Sequence, residues 1–458
     1  MLKKTIGIAS SLILTASIVG GTSVLAFQNQ EVEPNNNFID ATQIKILQDT
    51  TVDTVGGSLQ KGDQDYFQFE LKSRILDFTI SENSIHYEDR SLGLDSSPEI
   101  NVELYDKSHQ LVKPDRMDDG IIFDSLDKGT YYISVTDALK QEEEIPYSIY
   151  FHSSSSGVYR FSGQDRYETA VDTAQNLNYG YHAFLASGEK FPDALAGSPL
   201  QSLTDSPDPL LLVKKDSIPQ SVENSFNHFN TESVTILGGP SAISEEVETY
   251  LENELNLEVN RIFGQNRYET AAAIAEELRE NFPYGLYAHA PSDKAFVVSG
   301  EDFPDALSAG SVSFDSPILL TKKNELPEAT REQLKHYNEV YVVGGPAVIS
   351  DEVVNSIPNA VRIYGQDRYE TSLEVVKEFR DRTATEIGVN IATGENFADA
   401  LVGGSTIYPV ILTKPDQIPV DTQTYLKDIN RFNILGGPNA ISEKIEEELW
   451  TIVESHIE

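Results

Sequence analysis

Arg166, Arg267 and Arg368 each open an Arg-Tyr-Glu-Thr string, and they recur at a constant step of 101 residues (166 to 267 to 368). A guanidinium is a rigid planar fork that matches the oxygens of a carboxylate or phosphate, so the three are candidate contacts for an anionic ligand. Their structural alternative is an ion pair with a neighbouring acid, Glu168 or Asp165 in the first copy. Asp193, Asp305 and Asp399 also recur, each inside Phe-x-Asp-Ala-Leu just after an apolar run. There a carboxylate suits either the start of a helix or ligand chemistry at the end of a strand. The glycine pairs Gly238-Gly239, Gly344-Gly345 and Gly436-Gly437 fit two roles, an anion site at a helix start or a tight turn. Near the N-terminus, Glu31, Glu33, Asn35, Asn36, Asp63 and Asp65 gather hard oxygen ligands of the kind Ca²⁺ prefers, or form a solvated acidic leader with ordinary turn residues. No paired carboxylates, nucleophile elbow or Ser/His/Asp order emerges, and the eight histidines form no His-x-x-x-His. The chemistry predicted is binding, without catalysis.

The elements that position these groups come from an internal repeat. Arg160-Phe161-Ser162-Gly163 returns as Arg261-Ile262-Phe263-Gly264 and as Arg362-Ile363-Tyr364-Gly365. Behind each copy follow, in the same order, the Phe-x-Asp-Ala-Leu segment, an apolar run after proline, and a Gly-Gly-Pro turn. The apolar runs are Leu210, Leu211 and Leu212, then Ile318, Leu319 and Leu320, then Val410, Ile411 and Leu412. Within a copy, short apolar strands such as Ala295-Phe296-Val297-Val298 alternate with amphipathic helices, which predicts an open, mostly parallel α/β sheet in each. The apolar runs read as its central strands. Residues 27–155 read instead as short alternating strands broken by turns such as Lys61-Gly62-Asp63, an antiparallel β-sandwich. The run Ser153-Ser154-Ser155-Ser156-Gly157 reads as a flexible linker between the two parts.

Composition bounds the partners. The 458-residue chain carries 73 acidic and 34 basic side chains, a net charge of −39 spread along its length. Such a field repels nucleic acid and anionic membranes. Met1-Leu2-Lys3-Lys4, the apolar stretch 6–19 and Val24-Leu25-Ala26 read as a secretory signal peptide over 1–26. Absence of cysteine excludes disulfides and thiolate chemistry, and no second apolar span follows, so the mature chain is expected to lack a membrane anchor.

The repeated Arg-x-x-Gly-x-x-Arg-Tyr-x-Thr start, the Phe-x-Asp-Ala-Leu segment and the Gly-Gly-Pro turn resemble the cell-wall-binding repeat type 2 family across residues 158–458. The resemblance implies three Rossmann-like domains in a pseudo-threefold trio that bind anionic wall polymers of Gram-positive bacteria without a covalent link. The apolar runs are similar to that family's Ile-Leu-Leu motif, tied to wall attachment, although the first and third copies spell it differently. Glu33-Pro34-Asn35-Asn36, Gly62-Asp63-Gln64-Asp65-Tyr66-Phe67 and Gly129-Thr130-Tyr131-Tyr132 resemble the bacterial pre-peptidase C-terminal (PPC) domain. That likeness implies a jelly-roll-like sandwich with a matrix or peptide ligand and, in some members, calcium.

The sequence therefore predicts a secreted, non-enzymatic wall protein: a signal peptide (1–26), a PPC-like sandwich (27–155) and repeats at 158–260, 261–361 and 362–458. A modifier of wall hydrolases, or a secreted adhesin or peptidase accessory, is the alternative.

Overall fold

The computed structural model describes residues 28–44, 53–71, 74–84, 100–117, 120–138, 145–152, 156–177, 181–202, 208–281, 292–379, 388–403 and 408–456. The signal-peptide segment and Ser153 to Ser155 lie outside these residues.

The N-terminal part contains a six-stranded and a five-stranded sheet. Alternation drives their packing, since successive side chains of a strand point to opposite faces. Phe67, Phe69 and Leu71 from Gln64–Leu71 share one buried cluster with Tyr147, Ile149 and Phe151 from Ile145–His152. Most pairs are antiparallel, as in Gly129–Asp137 against Gln64–Leu71 and against Ile100–Asp106. The short strands Gln28–Gln30 and Thr42–Gln43 depart from the antiparallel expectation, each adding to its sheet in parallel.

Each repeat contributes a four-stranded parallel sheet. In the first, the order is Leu210–Val213, His182–Ser187, Ser233–Leu237, Glu258–Ile262. The fourth strand already carries Arg261, the opening residue of the second copy, and the second sheet is likewise completed by the strand that begins the third copy. The third sheet is completed differently. Its fourth strand is Gly157–Phe161, which pairs in parallel with Arg431–Leu435 and so joins the start of the repeat region to its end.

This closure corrects two sequence expectations. Gly157 is the first residue of a buried strand rather than the end of a free linker. The apolar runs occupy the outer position of each sheet rather than the centre. They are nonetheless fully buried, because the first helix of the same copy lies over the strand and, in the second and third copies, the short helix of the preceding copy packs beside it. Such fully apolar side chains each contribute roughly 1.5–3 kcal/mol on burial.

The short helices Phe191–Gly197, Pro304–Gly310 and Ala398–Val402 touch one another, and the first of them also packs on the opening helix of the second copy, Arg267–Asn281. The pattern repeats between copies two and three, and again between three and one. The N-terminal unit rests on the third copy: Leu76 joins the buried cluster of Val158, Phe432 and Trp450. Around that contact Arg74 pairs with Glu454 at 2.5 Å and Lys128 with Glu443 at 2.8 Å. Both pairs are solvent-exposed, so apolar contact supplies most of the stabilisation.

Candidate functional site

Each opening signature builds one helix start. Asp165 caps the helix Arg166–Leu177, its Oδ1 accepting from the amides of Tyr167 (2.9 Å) and Glu168 (3.0 Å). Glu168 reaches back to accept from the Gln164 amide at 2.8 Å, and Thr169 Oγ1 accepts from the Gly163 amide at 3.1 Å. The same bonds recur around Asn266 and Asp367. Asp165 and Glu168 are therefore occupied by backbone amides, which answers the expectation that one of them is the ion-pair partner of Arg166.

The recurring arginines bond within their own copies and face the aspartates of a neighbouring copy. Arg166 Nη1 donates to the carbonyl of Gly188, Arg267 to that of Gly300, and Arg368 to that of Gly394 at 2.6 Å. The Arg166 guanidinium stands 5.3 Å from the ring centre of Phe397 in the third copy. Phe191, Phe303 and Phe397 form a triangle with ring centres 5.8–6.2 Å apart. Beside that triangle burial pushes the carboxyls of Asp193 and Asp399 up to about 6, against the opposing charges of Arg267 and Arg166 respectively. Burial raises Asp305 as well; its bond to Thr371 and the charge of Arg368 oppose the rise. Each aspartate thus lies in the first turn of its short helix and under the influence of the next copy's arginine.

A second cation recurs at each sheet end. Lys214, Lys322 and Lys414 stand two positions past the apolar runs, just after each strand ends, and lie 5.7, 5.9 and 6.0 Å from the ring centres of Tyr167, Tyr268 and Tyr369. Arg166, Arg267 and Arg368 lie against the same glycines as those tyrosines, Gly188, Gly300 and Gly394, so every copy gathers an arginine, a lysine and a tyrosine ring at one sheet end. The lysines are a part of the site that the sequence reading missed; their regular place after each apolar run was the available signal.

The apolar runs themselves are not presented to a ligand. Leu210 is 2% exposed and Leu211 and Leu212 are 0%; Ile318 is 1%, and Leu319, Leu320, Val410, Ile411 and Leu412 are 0%. The glycine pairs also have a resolved role. Gly238, Gly344 and Gly436 adopt φ of +113°, +132° and +114°, which favours glycine. Two amides of each turn bond back to the second glycine, as Ala242 and Ile243 do to Gly239, and in the first copy the next helix starts only after Ser244. They are turn residues, and the amides of Ala242 and Ile243 are spent inside the turn rather than offered to an anion. Arg160, Arg261 and Arg362 clamp the turns: each donates to the first glycine's carbonyl at 2.8 Å.

In the N-terminal unit, carboxylate oxygens of Glu31, Glu33 and Asp65 all lie within 4.8 Å of one another. Glu31 accepts from the Ser58 amide at 2.8 Å, and Asp65 Oδ2 accepts from the Tyr147 hydroxyl at 2.6 Å. Burial, reinforced by the neighbouring acids, pushes Glu31 up to about 8 and Asp65 up to about 6. Oδ1 of Asp65 and Oδ1 of Asn35 are buried without a hydrogen-bond partner. Two orphaned oxygens beside crowded carboxylates fit a hard cation. Asp63 accepts from the Gln64 amide in its own turn, and Asn36 is exposed.

The fold and these junctions define a protein of tandem α/β binding modules. The chain belongs to the cell wall binding domain 2 (CWB2) family, which matches residues 160–248, 261–354 and 362–446. It is 27% identical over 307 residues to the N-acetylmuramoyl-L-alanine amidase LytC of Bacillus subtilis, covering 65% of this chain and 58% of that protein. It is 30% identical over 303 residues to the amidase enhancer of Bacillus subtilis, covering 63% of this chain and 40% of that protein. The chain thus spans about half the length of these curated relatives. The solved structure of Cwp6 from Clostridium difficile is similar at 25% identity and a TM-score of 0.57, over 65% of this chain and 48% of that one. Among the described residues, no helix is long and apolar enough to cross a membrane.

Proposed function

We propose that this is a secreted, non-catalytic surface protein, held on a Gram-positive cell wall by three modules that grip an anionic wall polymer together. One observation carries the reading: an arginine, a lysine and a tyrosine gather at the sheet end of all three copies. With a net charge of −39, long-range attraction to a polyanion is absent, so contact depends on these local cations. Arg166, Arg267 and Arg368 are the direct contacts in this account. Leu210 to Leu212, Ile318 to Leu320 and Val410 to Leu412 act by holding the sheet edge that presents them. Linked sites gain roughly 10²–10⁴ in avidity over single ones. A single Arg→Ala change is therefore mild and the triple change severe, read as co-sedimentation with purified wall after circular dichroism has confirmed folding. A folded triple variant that pellets like the parent would move the site elsewhere.

In the same reading, each repeat is a Rossmann-like domain, with boundaries 158–260, 261–361 and 362–458. Residues 27–155 form a PPC-like, jelly-roll-like module with a matrix or peptide ligand of its own. Its Glu31, Glu33, Asn35 and Asp65 hold calcium, supported by the orphaned oxygens of Asn35 and Asp65, with Asn36 and Asp63 as outer oxygens. Likeness to the amidase enhancer favours one alternative, a modifier of wall hydrolases. Wall digestion by an amidase with and without the chain separates the two.

A further inference from the structure

Two exposed aromatic rings stand at the repeat junctions without a part in the arginine site. Phe263 and Tyr364 are 49% and 48% exposed, each one residue past the strand that completes a sheet. Each lies against the second glycine of a Gly-Gly-Pro turn: a Cβ on Gly239 would meet Phe263 at 3.0 Å, and one on Gly345 would meet Tyr364 at 3.2 Å. Neither of those glycines has a left-handed φ, so what they give these two turns is room for a ring. The Arg362 guanidinium, fixed by the carbonyls of Gly344, Ile349 and Ser350, stands 5.9 Å from the Tyr364 ring centre. The third junction carries Ser162 at the same position, and a Cβ on Gly437 would meet nothing within 4 Å.

We propose that Phe263 and Tyr364 are stacking platforms for sugar rings of a wall glycan, one at each of two junctions, with no counterpart at the third. The inference rests on wall binding as the function. An aromatic face backed by a flat glycine turn offers the apolar surface that the C–H face of a pyranose packs against. Such contact is short-ranged and uncharged, so the chain's negative field does not oppose it. A polymer that crosses the junctions would meet a ring at two of them and a cation pair at all three.

The test is binding of the full chain to purified Gram-positive wall, as bound fraction against protein concentration. Phe263→Ser and Tyr364→Ser copy what the third junction already tolerates, so folding is preserved. Each is expected to raise the half-saturating concentration about three- to tenfold, and the pair at least tenfold. Phe263→Leu with Tyr364→Leu keeps apolar area without a ring and weakens binding equally, whereas exchanging the residues (Phe263→Tyr with Tyr364→Phe) retains it. Gly437→Ala, at the ringless turn, leaves binding unchanged. Serine and leucine pairs that melt and bind like the parent would overturn the proposal and leave the rings as covers for their turns. A parent chain that does not pellet with wall at all would instead refute wall binding, and this inference with it.

Discussion

Replacing Arg160 by alanine is expected to destabilise the repeat region more than the same change at Arg261 or Arg362, although the three share one signature position. Arg160 reaches from the first strand to the last copy. It donates twice to Glu446 (2.9 and 2.8 Å) and to the carbonyls of Gly436 (2.8 Å) and Ile441 (3.0 Å). Its side chain is 5% exposed and that of Glu446 10%. Removing the cation strands a buried carboxylate, which costs about 3–5 kcal/mol. Arg261 pairs with Glu248 at 28% exposure, and Arg362 with Asp351 at 70%. A carboxylate in water needs no partner, so Arg362→Ala loses chiefly its bonds to carbonyls, about 1–2 kcal/mol. Trp450, the only tryptophan, is buried in the third copy and reports on the closure by fluorescence. In urea the Arg160 variant should lose about 1 M or more of midpoint, Arg261 an intermediate amount and Arg362 least. Arg160→Met with Glu446→Leu should recover much of the loss. Equal midpoints for the three alanine variants would refute the argument that burial of the acid sets the scale.

Leu211→Ala and Leu319→Ala should each cost about 2–5 kcal/mol by opening a cavity, and urea unfolding measures it; a stable variant that no longer binds wall would instead make the run a ligand contact. Glu31 and Asp65 ionise in the fold only near 8 and 6, above their ordinary 4.5 and 3.8. The folded state therefore holds more protons between those limits, and stability falls as pH rises through the window. With chelator the melting temperature should drop from pH 5 to pH 8, and millimolar calcium should restore it at pH 8. Identical curves with and without calcium would refute the cation site.

Strand and helix types were legible from periodicity: Ala295 to Val298 fall within the strand Lys294–Ser299, and Ser350 caps the following helix by accepting from the Val353 amide at 3.4 Å. The partner of each strand was not, because pairing is a long-range property. Nothing local marks Gly157–Phe161 as the mate of Arg431–Leu435, across more than half the chain. For the same reason the arginines were legible as a repeated position, but the third-copy ring of Phe397 that Arg166 meets, and the neighbouring copy's aspartates that all three face, were not. Asp165 and Glu168 misled because their spacing suits both an ion pair and a helix cap, and the cap satisfies amides that would otherwise lack partners. Glu31, Glu33 and Asp65 came together as a local oxygen cluster suggests, whereas the buried, unpartnered state of Asn35 needed the tertiary packing.

Sedimentation with purified wall, before and after chemical removal of its phosphate- or uronate-bearing polymers, tests the central claim most directly. The full chain should pellet with intact wall and remain in solution with the stripped peptidoglycan. Equal pelleting with both would contradict an anionic polymer as the ligand and place attachment on the peptidoglycan itself.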